Sequence, residues 1–164
     1  RPSEPKLLLI NINEPIQSAV NFSLAALRKR GIIVSTVLAD DLPLLGADPH
    51  LIEQVILNLI TNAKEAMKNM ADDKVIRVTS SGQHDRIIIT ISDTGPGVPS
   101  RMRNKVFDPF YTTKSGNTGI GLSLCKRIVA DHGGTLVVDN NEWGGAAFRI
   151  ELPLAREKET GKVW

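Results

Sequence analysis

The chain of 164 residues is 41% apolar and 23% charged, with 20 Lys+Arg against 18 Asp+Glu and a formal net charge of +2. That length fits one domain able to bury roughly two thirds of its unfolded surface, and a single cysteine excludes an internal disulfide framework, which fits a reducing, cytoplasmic compartment. Nearly cancelling charge gives no bulk case for nucleic acid, and no apolar run approaches the roughly 18 residues of a membrane span. The first residue is Arg, so the chain is expected to be cut from something longer, which leaves room for a membrane anchor upstream.

Pro2 to Pro5 reads as the end of a linker. From Glu14 to Arg30, Ile16, Ala19, Val20, Leu24 and Leu27 recur at helical spacing, with Gly31 at the stop position. Ile32 to Leu38 is rich in β-branched residues and reads as a strand. Asp48-Pro49 looks like an N-cap followed by proline at the first helical position. The helix it opens is expected to run to about Met70, with Ile52, Val55, Ile56, Leu59, Ile60, Ala63 and Met67 as its apolar stripe. Val75 to Ser81 and Arg86 to Asp93 follow as strands joined through the Gly82–Asp85 turn region. Thr94 to Thr118 is dense in Gly, Pro, Ser and Thr, and loops this long in a compact domain are usually functional or mobile. A helix over Ile120 to Asp131 stops at Gly133-Gly134. Two last strands, Thr135 to Asn140 and Ala146 to Leu152, flank Gly144-Gly145, and the tail after Pro153 is polar. Strands gathered in the second half among three helices predict an α/β sandwich. The pair 75–81 and 86–93 is too closely linked for a parallel crossover, so the sheet is at least partly antiparallel.

The first chemical signal lies on the middle helix. Asn58 and Asn62 are four residues apart and Glu65 is three further on, so all three share one face. Asn is a mediocre helix former that competes for backbone hydrogen bonds. Two of them in LNLITNA are either exposed, self-satisfied amides or a polar stripe offering oxygens to a hard cation or its waters.

The second signal is DTGPG. Ile87, Ile89, Ile91 and Asp93 share one parity, so Asp93 points where the isoleucines point. A carboxylate on that side must find partners or become neutral. A strand-ending Asx turn accounts for the Asp alone. Gly95 and Gly97 add backbone that a ligand can approach closely, and an Asp so placed can accept from an amino group such as the exocyclic amine of adenine. Asp-Thr-Gly also opens aspartic protease sites. Such an enzyme needs two of these carboxylates and a fold built almost wholly from strands, so this chain would have to dimerise to become one.

The third signal is GNTGIGL, residues 116–122, just before a helix. Glycines there leave N–H groups at the helix's positive end, a seat for phosphate. It is neither a P-loop nor a dinucleotide fingerprint, since no GxxxxGKS/T occurs and the third fingerprint glycine is absent. Upstream, FDPFYTTK places aromatic residues and Lys114 in the long loop, where the lysine either reaches a phosphate as a point charge or is simply solvated.

In this order, the helix with Asn58 and Asn62, DTGPG, FDPFYTTK, GNTGIGL and the pair Gly144-Gly145 resemble the catalytic, ATP-binding domain of sensor histidine kinases. Their superfamily includes gyrase B, MutL-type repair proteins and the heat-shock chaperone ATPases. The resemblance runs from about Asn13 to Pro153. LNLITNAKEA is similar to the family's asparagine box, and FDPFYTTK followed by TGIGLSLCKRIVADHGG is similar to nitrogen- and oxygen-sensing kinases. It implies a linker over 1–12 from a missing dimerisation and phosphoacceptor domain, a catalytic domain over 13–153 and a polar tail over 154–164. The implied architecture is the Bergerat fold, a five-stranded mixed sheet covered on one face by three helices, with ATP held between helices and a lid.

On this resemblance Asn62 would coordinate Mg²⁺ and Asn58 would line the phosphate side, with Glu65 on the same nucleotide-binding face. Asp93 would take the adenine amine, with Gly95 and Gly97 shaping the base pocket. Lys114 and the backbone of Gly119, Ile120, Gly121 and Leu122 would hold phosphates, and Thr112, Thr113 and Thr118 would belong to the lid. The last glycine box reads GGAAF, where threonine often follows the glycine, so any hydroxyl contact from Ala146 or Ala147 is lost.

In the gyrase, MutL and chaperone ATPases a glutamate four residues before the metal-binding Asn activates water. Here that position is Asn58, which cannot act as a general base, so the resemblance implies slow hydrolysis and transfer to a protein acceptor. His50, His84 and His132 are the only histidines, and none is followed by the acidic residue and proline of the family's phosphoacceptor helix. Each is expected to be structural or exposed. The acceptor histidine would lie on an upstream dimerisation hairpin, so the chain itself is expected to carry no catalytic residue and not to phosphorylate itself. It should bind Mg·ATP, be a monomer, and serve a response regulator through the full-length kinase. Cys125, among Leu122, Leu124 and Ile128, reads as a small buried hydrophobe, and Trp143 and Trp164 receive no functional reading. A superfamily ATPase and a degenerate partner-binding module are the alternatives.

Overall fold

Strands and helices follow the periodicities of the sequence closely in the computed structural model, which describes residues 4–109, 111 and 120–154. In chain order they are β1 (Leu8–Ile10), α1 (Asn13–Lys29), β2 (Ile32–Leu38), β3 (Leu45–Ala47), α2 (Pro49–Ala66), β4 (Lys74–Gln83), β5 (Arg86–Asp93), α3 (Ile120–Asp131), β6 (Thr135–Asn140) and β7 (Ala146–Pro153). Single 3-10 turns at Ser100–Met102 and Lys105–Phe107 lie between β5 and α3.

Five strands form one mixed sheet in the order β2-β4-β5-β7-β6. β2 runs parallel to β4 and every other neighbour is antiparallel. The parallel pair needs a crossover, which β3 and α2 supply. The helices contact the sheet at β2, β5 and β6. One strand parity (Ile76, Val78, Ile89, Ile91, Phe148, Ile150, Leu136 and Val138) is buried, while the other exposes Ile33, Val37 and Val137. All three helices therefore cover the same face, as the sequence predicts.

Asp48 sets the start of α2. Its carboxylate accepts from the N–H groups of Lys6 (2.9 Å), His50 (3.1 Å) and Leu51 (3.2 Å), and Pro49 fills the first helical position, where an N–H would have no partner. Burial pushes the Asp48 pKa up, but these backbone donors outweigh it and hold the group below its usual value. His132 joins the far end of α3 to the same junction. Its Nε2 accepts from the Asp48 N–H at 3.0 Å and its Nδ1 donates to the Ile128 carbonyl at 2.8 Å. Two carbonyl and amide partners thus fix the tautomer. His132 is structural, and His50 and His84 are exposed, as expected.

Several boundaries differ from expectation. The middle helix ends at Ala66, short of Met70. Its last turn tightens as the Lys68 N–H bonds to the Glu65 carbonyl at 3.3 Å, and Met67 turns fully into the core. Gly82 belongs to β4, and the hairpin closes through His84-Asp85 alone, with His84 at φ 47°. Residues 8–10, inside the segment read as linker, pair antiparallel with β3, a strand too short to show a period in the sequence. No helix among the described residues is long and apolar enough to cross a membrane.

Candidate functional site

The site is built where β5, the end of α2 and the β6–β7 turn meet. Asp93 ends β5 on the same side as Ile89 and Ile91 and is only 1% exposed. Its Oδ1 accepts from the N–H groups of Gly95 (2.8 Å) and Ala146 (3.2 Å). The buried carboxylate is thus oriented by the backbone of the segment after β5 and of the first residue of β7. Thr94 anchors the strand end below, its Oγ1 accepting from the Val75 N–H at 3.0 Å.

Glycine is required where these loops close. A Cβ on Gly145 would run into the main chain of Asp93, and one on Gly97, at φ 78°, would meet the Gly144 carbonyl at 2.6 Å and Asn140 Oδ1 at 2.8 Å. Gly95 lies against α2, where a Cβ would sit 3.5 Å from the Ala66 Cβ and 2.9 Å from Asp93 Oδ1.

Asn140 and Asn141 organise this junction, and sequence reasoning assigned them nothing. The Asn141 Nδ2 donates to the carbonyls of Asp93 (2.8 Å) and Ala146 (3.0 Å), while its Oδ1 accepts from the N–H groups of Trp143 (2.9 Å) and Gly145 (3.0 Å). Asn140 Oδ1 accepts from the Val98 N–H at 2.9 Å and so fixes the chain just past Gly97. The Asn-Asn pair before Gly144-Gly145 was the available signal, since Asn side chains commonly satisfy turn backbone.

Asn58, Asn62 and Glu65 are half-buried on α2. The Cys125 thiol of α3 donates to the Val55 carbonyl of α2 at 3.8 Å, and it is completely buried and pushed up to about 12, chiefly by that burial. Cys125 is therefore the packed residue expected. Glu65 Oε2 is buried with no hydrogen-bond partner. On α3, Ile120, Gly121 and Leu122 form the first turn, and a Cβ on Gly121 would meet nothing within 4 Å. Thr112, Thr113, Lys114, Thr118 and Gly119 lie outside the described residues, as does the tail beyond Leu154.

The stem of the long β5–α3 segment is tied down on both sides. Phe107 meets Phe148 edge-on at 6.1 Å between centroids, and Lys126 Nζ sits 4.7 Å from the Phe107 ring centre. The same amine donates to the Leu136 carbonyl at 2.6 Å, and Arg103 pairs with Asp139 at 2.9 Å. An open concavity of about 700 Å³ is lined by Met70, Ala71, Asp72, Asp73, Thr94 and Trp143. It touches the junction through Thr94 and Trp143, and none of Asp93, Asn58 or Asn62 lines it, so the chemistry centres on the buried Asp93.

The donors present fit a nucleotide and a hard cation. Asp93 is a fixed acceptor, close-packed glycines expose backbone beside it, α2 offers amide oxygens, and Glu65 has an unsatisfied buried oxygen. A mixed α/β sandwich with this strand-end carboxylate defines an ATP-binding domain of the Bergerat type. Comparison with known proteins agrees. The histidine kinase-, DNA gyrase B-, and HSP90-like ATPase family matches residues 47–156. The chain is 33% identical over 156 residues to the C4-dicarboxylate transport sensor protein DctS of Rhodobacter capsulatus, covering 93% of this chain and 23% of DctS. It is 34% identical over 160 residues to the sensor histidine kinase ZraS of Salmonella typhimurium, covering 97% of this chain and 34% of ZraS. The catalytic domain of the histidine kinase ThkA superposes with a TM-score of 0.82 at 31% identity, covering 91% of this chain and 96% of that domain. ThkA is also solved in complex with the response regulator protein TrrA, matching at a TM-score of 0.80 and 30% identity over 94% of this chain and 43% of ThkA.

The chain belongs to the histidine kinase-, DNA gyrase B-, and HSP90-like ATPase family. Within it, this is the ATP-binding catalytic domain found in sensor histidine kinases. It spans about a quarter to a third of the two sensor proteins.

Proposed function

We propose that the chain is the phosphodonor half of a two-component sensor kinase, binding Mg·ATP and presenting the γ-phosphoryl group to a histidine on a separate dimerisation domain. The observation that carries this reading is the buried Asp93 at a glycine-lined junction beside an α2 face that bears Asn58 and Asn62. Asp93 accepts from the adenine amine, and Gly95 and Gly97 let the base approach the backbone. Asn62 holds the metal, and the N–H groups of the α3 first turn face the phosphates, where Gly121 leaves open space. Lys114, Thr112, Thr113, Thr118 and the backbone of Gly119, Ile120 and Leu122 complete the phosphate and lid contacts. Mg²⁺, when bound, would be held by Asn62 and would neutralise phosphate charge. Asn58 lines the phosphates without a basic group, so water next to it is not activated. Transfer then depends on positioning and electrostatics, with the imidazole nucleophile supplied by the other domain.

The response regulator partner is supported by the ThkA–TrrA complex. We further assign a cytoplasmic setting, a monomeric state, a lead-in from the dimerisation domain that ends where β1 pairs with β3, and a tail over 154–164. The test is calorimetric titration with ATP in Mg²⁺ and in EDTA, with phosphate release followed in the same sample. Metal-assisted binding with negligible release is expected. Rapid turnover would transfer the reading to the ATPases, and no binding at all would leave a partner-binding module.

A further inference from the structure

Glu65 is the one acid on α2 between Glu53 and the helix end, and its position is costly. Its Oε2 is buried and makes no hydrogen bond, although a buried carboxylate oxygen normally finds a donor. The next two residues, Ala66 and Met67, lie against Gly95, which bonds to Asp93. Going back along α2, Glu65 is followed by Asn62 one turn away and Asn58 another turn away, on the same face. The unsatisfied acceptor therefore sits between the base end and the phosphate end, one turn from the amide assigned to the metal.

A carboxylate there opposes a bare triphosphate and favours one whose charge a cation has offset. Mg²⁺ keeps several of its waters and is held through few protein groups plus phosphates, and each of those waters is a donor suited to a carboxylate oxygen. We infer that the Glu65 carboxylate is the outer partner of the Mg²⁺ held by Asn62, accepting from its bound water, and that it makes nucleotide affinity depend on the metal. This rests on the nucleotide reading above and adds a selective element to it. With metal present, Glu65 stabilises the complex; without metal, the same charge repels the phosphates.

The experiment is calorimetric titration of the chain with ATP, in Mg²⁺ and in EDTA, for wild type, Glu65→Gln and Glu65→Lys. Thermal melts establish that each variant is folded, and the near-isosteric Gln removes a buried unpaired charge, so its Tm should equal or exceed that of wild type. The expected result is that Glu65→Gln shrinks the ratio of affinities with and without Mg²⁺ by about tenfold, the size of one charge-assisted hydrogen bond. Glu65→Lys should shrink it further by tightening metal-free ATP. An unchanged ratio in both folded variants, with wild type binding ATP normally, overturns this inference and leaves the nucleotide reading intact. An unchanged ratio combined with lost preference for ATP over 2′-deoxy-ATP also overturns it, because the carboxylate would then serve the ribose. Failure of wild type to bind ATP in either buffer overturns the nucleotide reading and this inference with it.

Discussion

Replacing Asp93 separates its two duties. One oxygen accepts from the Gly95 N–H at 2.8 Å and the Ala146 N–H at 3.2 Å, and the side chain is 1% exposed. In Asp93→Asn the amide oxygen can keep both bonds, so Tm should stay within about 4 °C, equivalent to about 1 kcal/mol for a domain of this size. On the proposed reading the amide nitrogen would then face the adenine amine, donor against donor, in place of a charged acceptor. Losing that bond and stranding its partner costs about 2 to 4 kcal/mol, or about 30- to 700-fold in ATP affinity. Asp93→Ala does the opposite to the fold. It strands the two backbone N–H groups in a buried place at about 1 to 3 kcal/mol each, so Tm should fall by about 4 to 20 °C. Calorimetric ATP titration and thermal melts on the three proteins check both statements. Near-normal ATP affinity in folded Asp93→Asn would refute the adenine assignment, and a Tm as low as that of Asp93→Ala would refute the backbone-anchoring argument.

Asp48 has a depressed pKa in the fold, so its stabilisation is present above the unfolded value, about 3.9, and is lost as pH falls through the folded value. Urea melts across pH should show Asp48→Asn less stable than wild type at pH 7, with the gap closing below about pH 4; a gap that persists there contradicts the linkage. Cys125 is fully buried with its thiol pushed up to about 12, so iodoacetamide at pH 8 should label the native chain more than about a hundredfold slower than free cysteine. Labelling at the free rate without denaturant would mean that the α2–α3 interface opens readily. Gly145→Ala forces a Cβ onto the Asp93 backbone and should cost about 1 to 3 kcal/mol in thermal melts, with ATP affinity falling too. Gly121→Ala meets nothing within 4 Å and should be at least as stable as wild type; a loss of ATP affinity there would report contact with the ligand, and no loss would remove that turn from the phosphate site.

The long elements were legible because their residues repeat. Ile52, Val55, Ile56, Leu59, Ile60 and Ala63 give α2 a period that only one helix face satisfies, and all six are buried. Ile87, Ile89, Ile91 and Asp93 alternate in β5, which told correctly that Asp93 points inward. Short elements carry no such period. β1 and β3 are three residues each and exist because they pair with each other, and the 3-10 turn at Lys105–Phe107 is packed through Phe107 between Phe148 and Lys126.

The sequence by itself determined the motifs and which residues share a face, since helix and strand periodicity are local properties of the backbone. Only the tertiary structure decided which groups meet across distant segments. Asn141 supports Asp93 from 48 residues away, His132 accepts from the Asp48 N–H across 84 residues, and Gly145 is glycine because β5 passes against it. None of these follows from spacing, because a partner in another strand is selected by sheet order and register, which the whole core sets together. The unpaired oxygen of Glu65 belongs to the same class, since local sequence shows the acid while only packing shows that the fold leaves it unsatisfied.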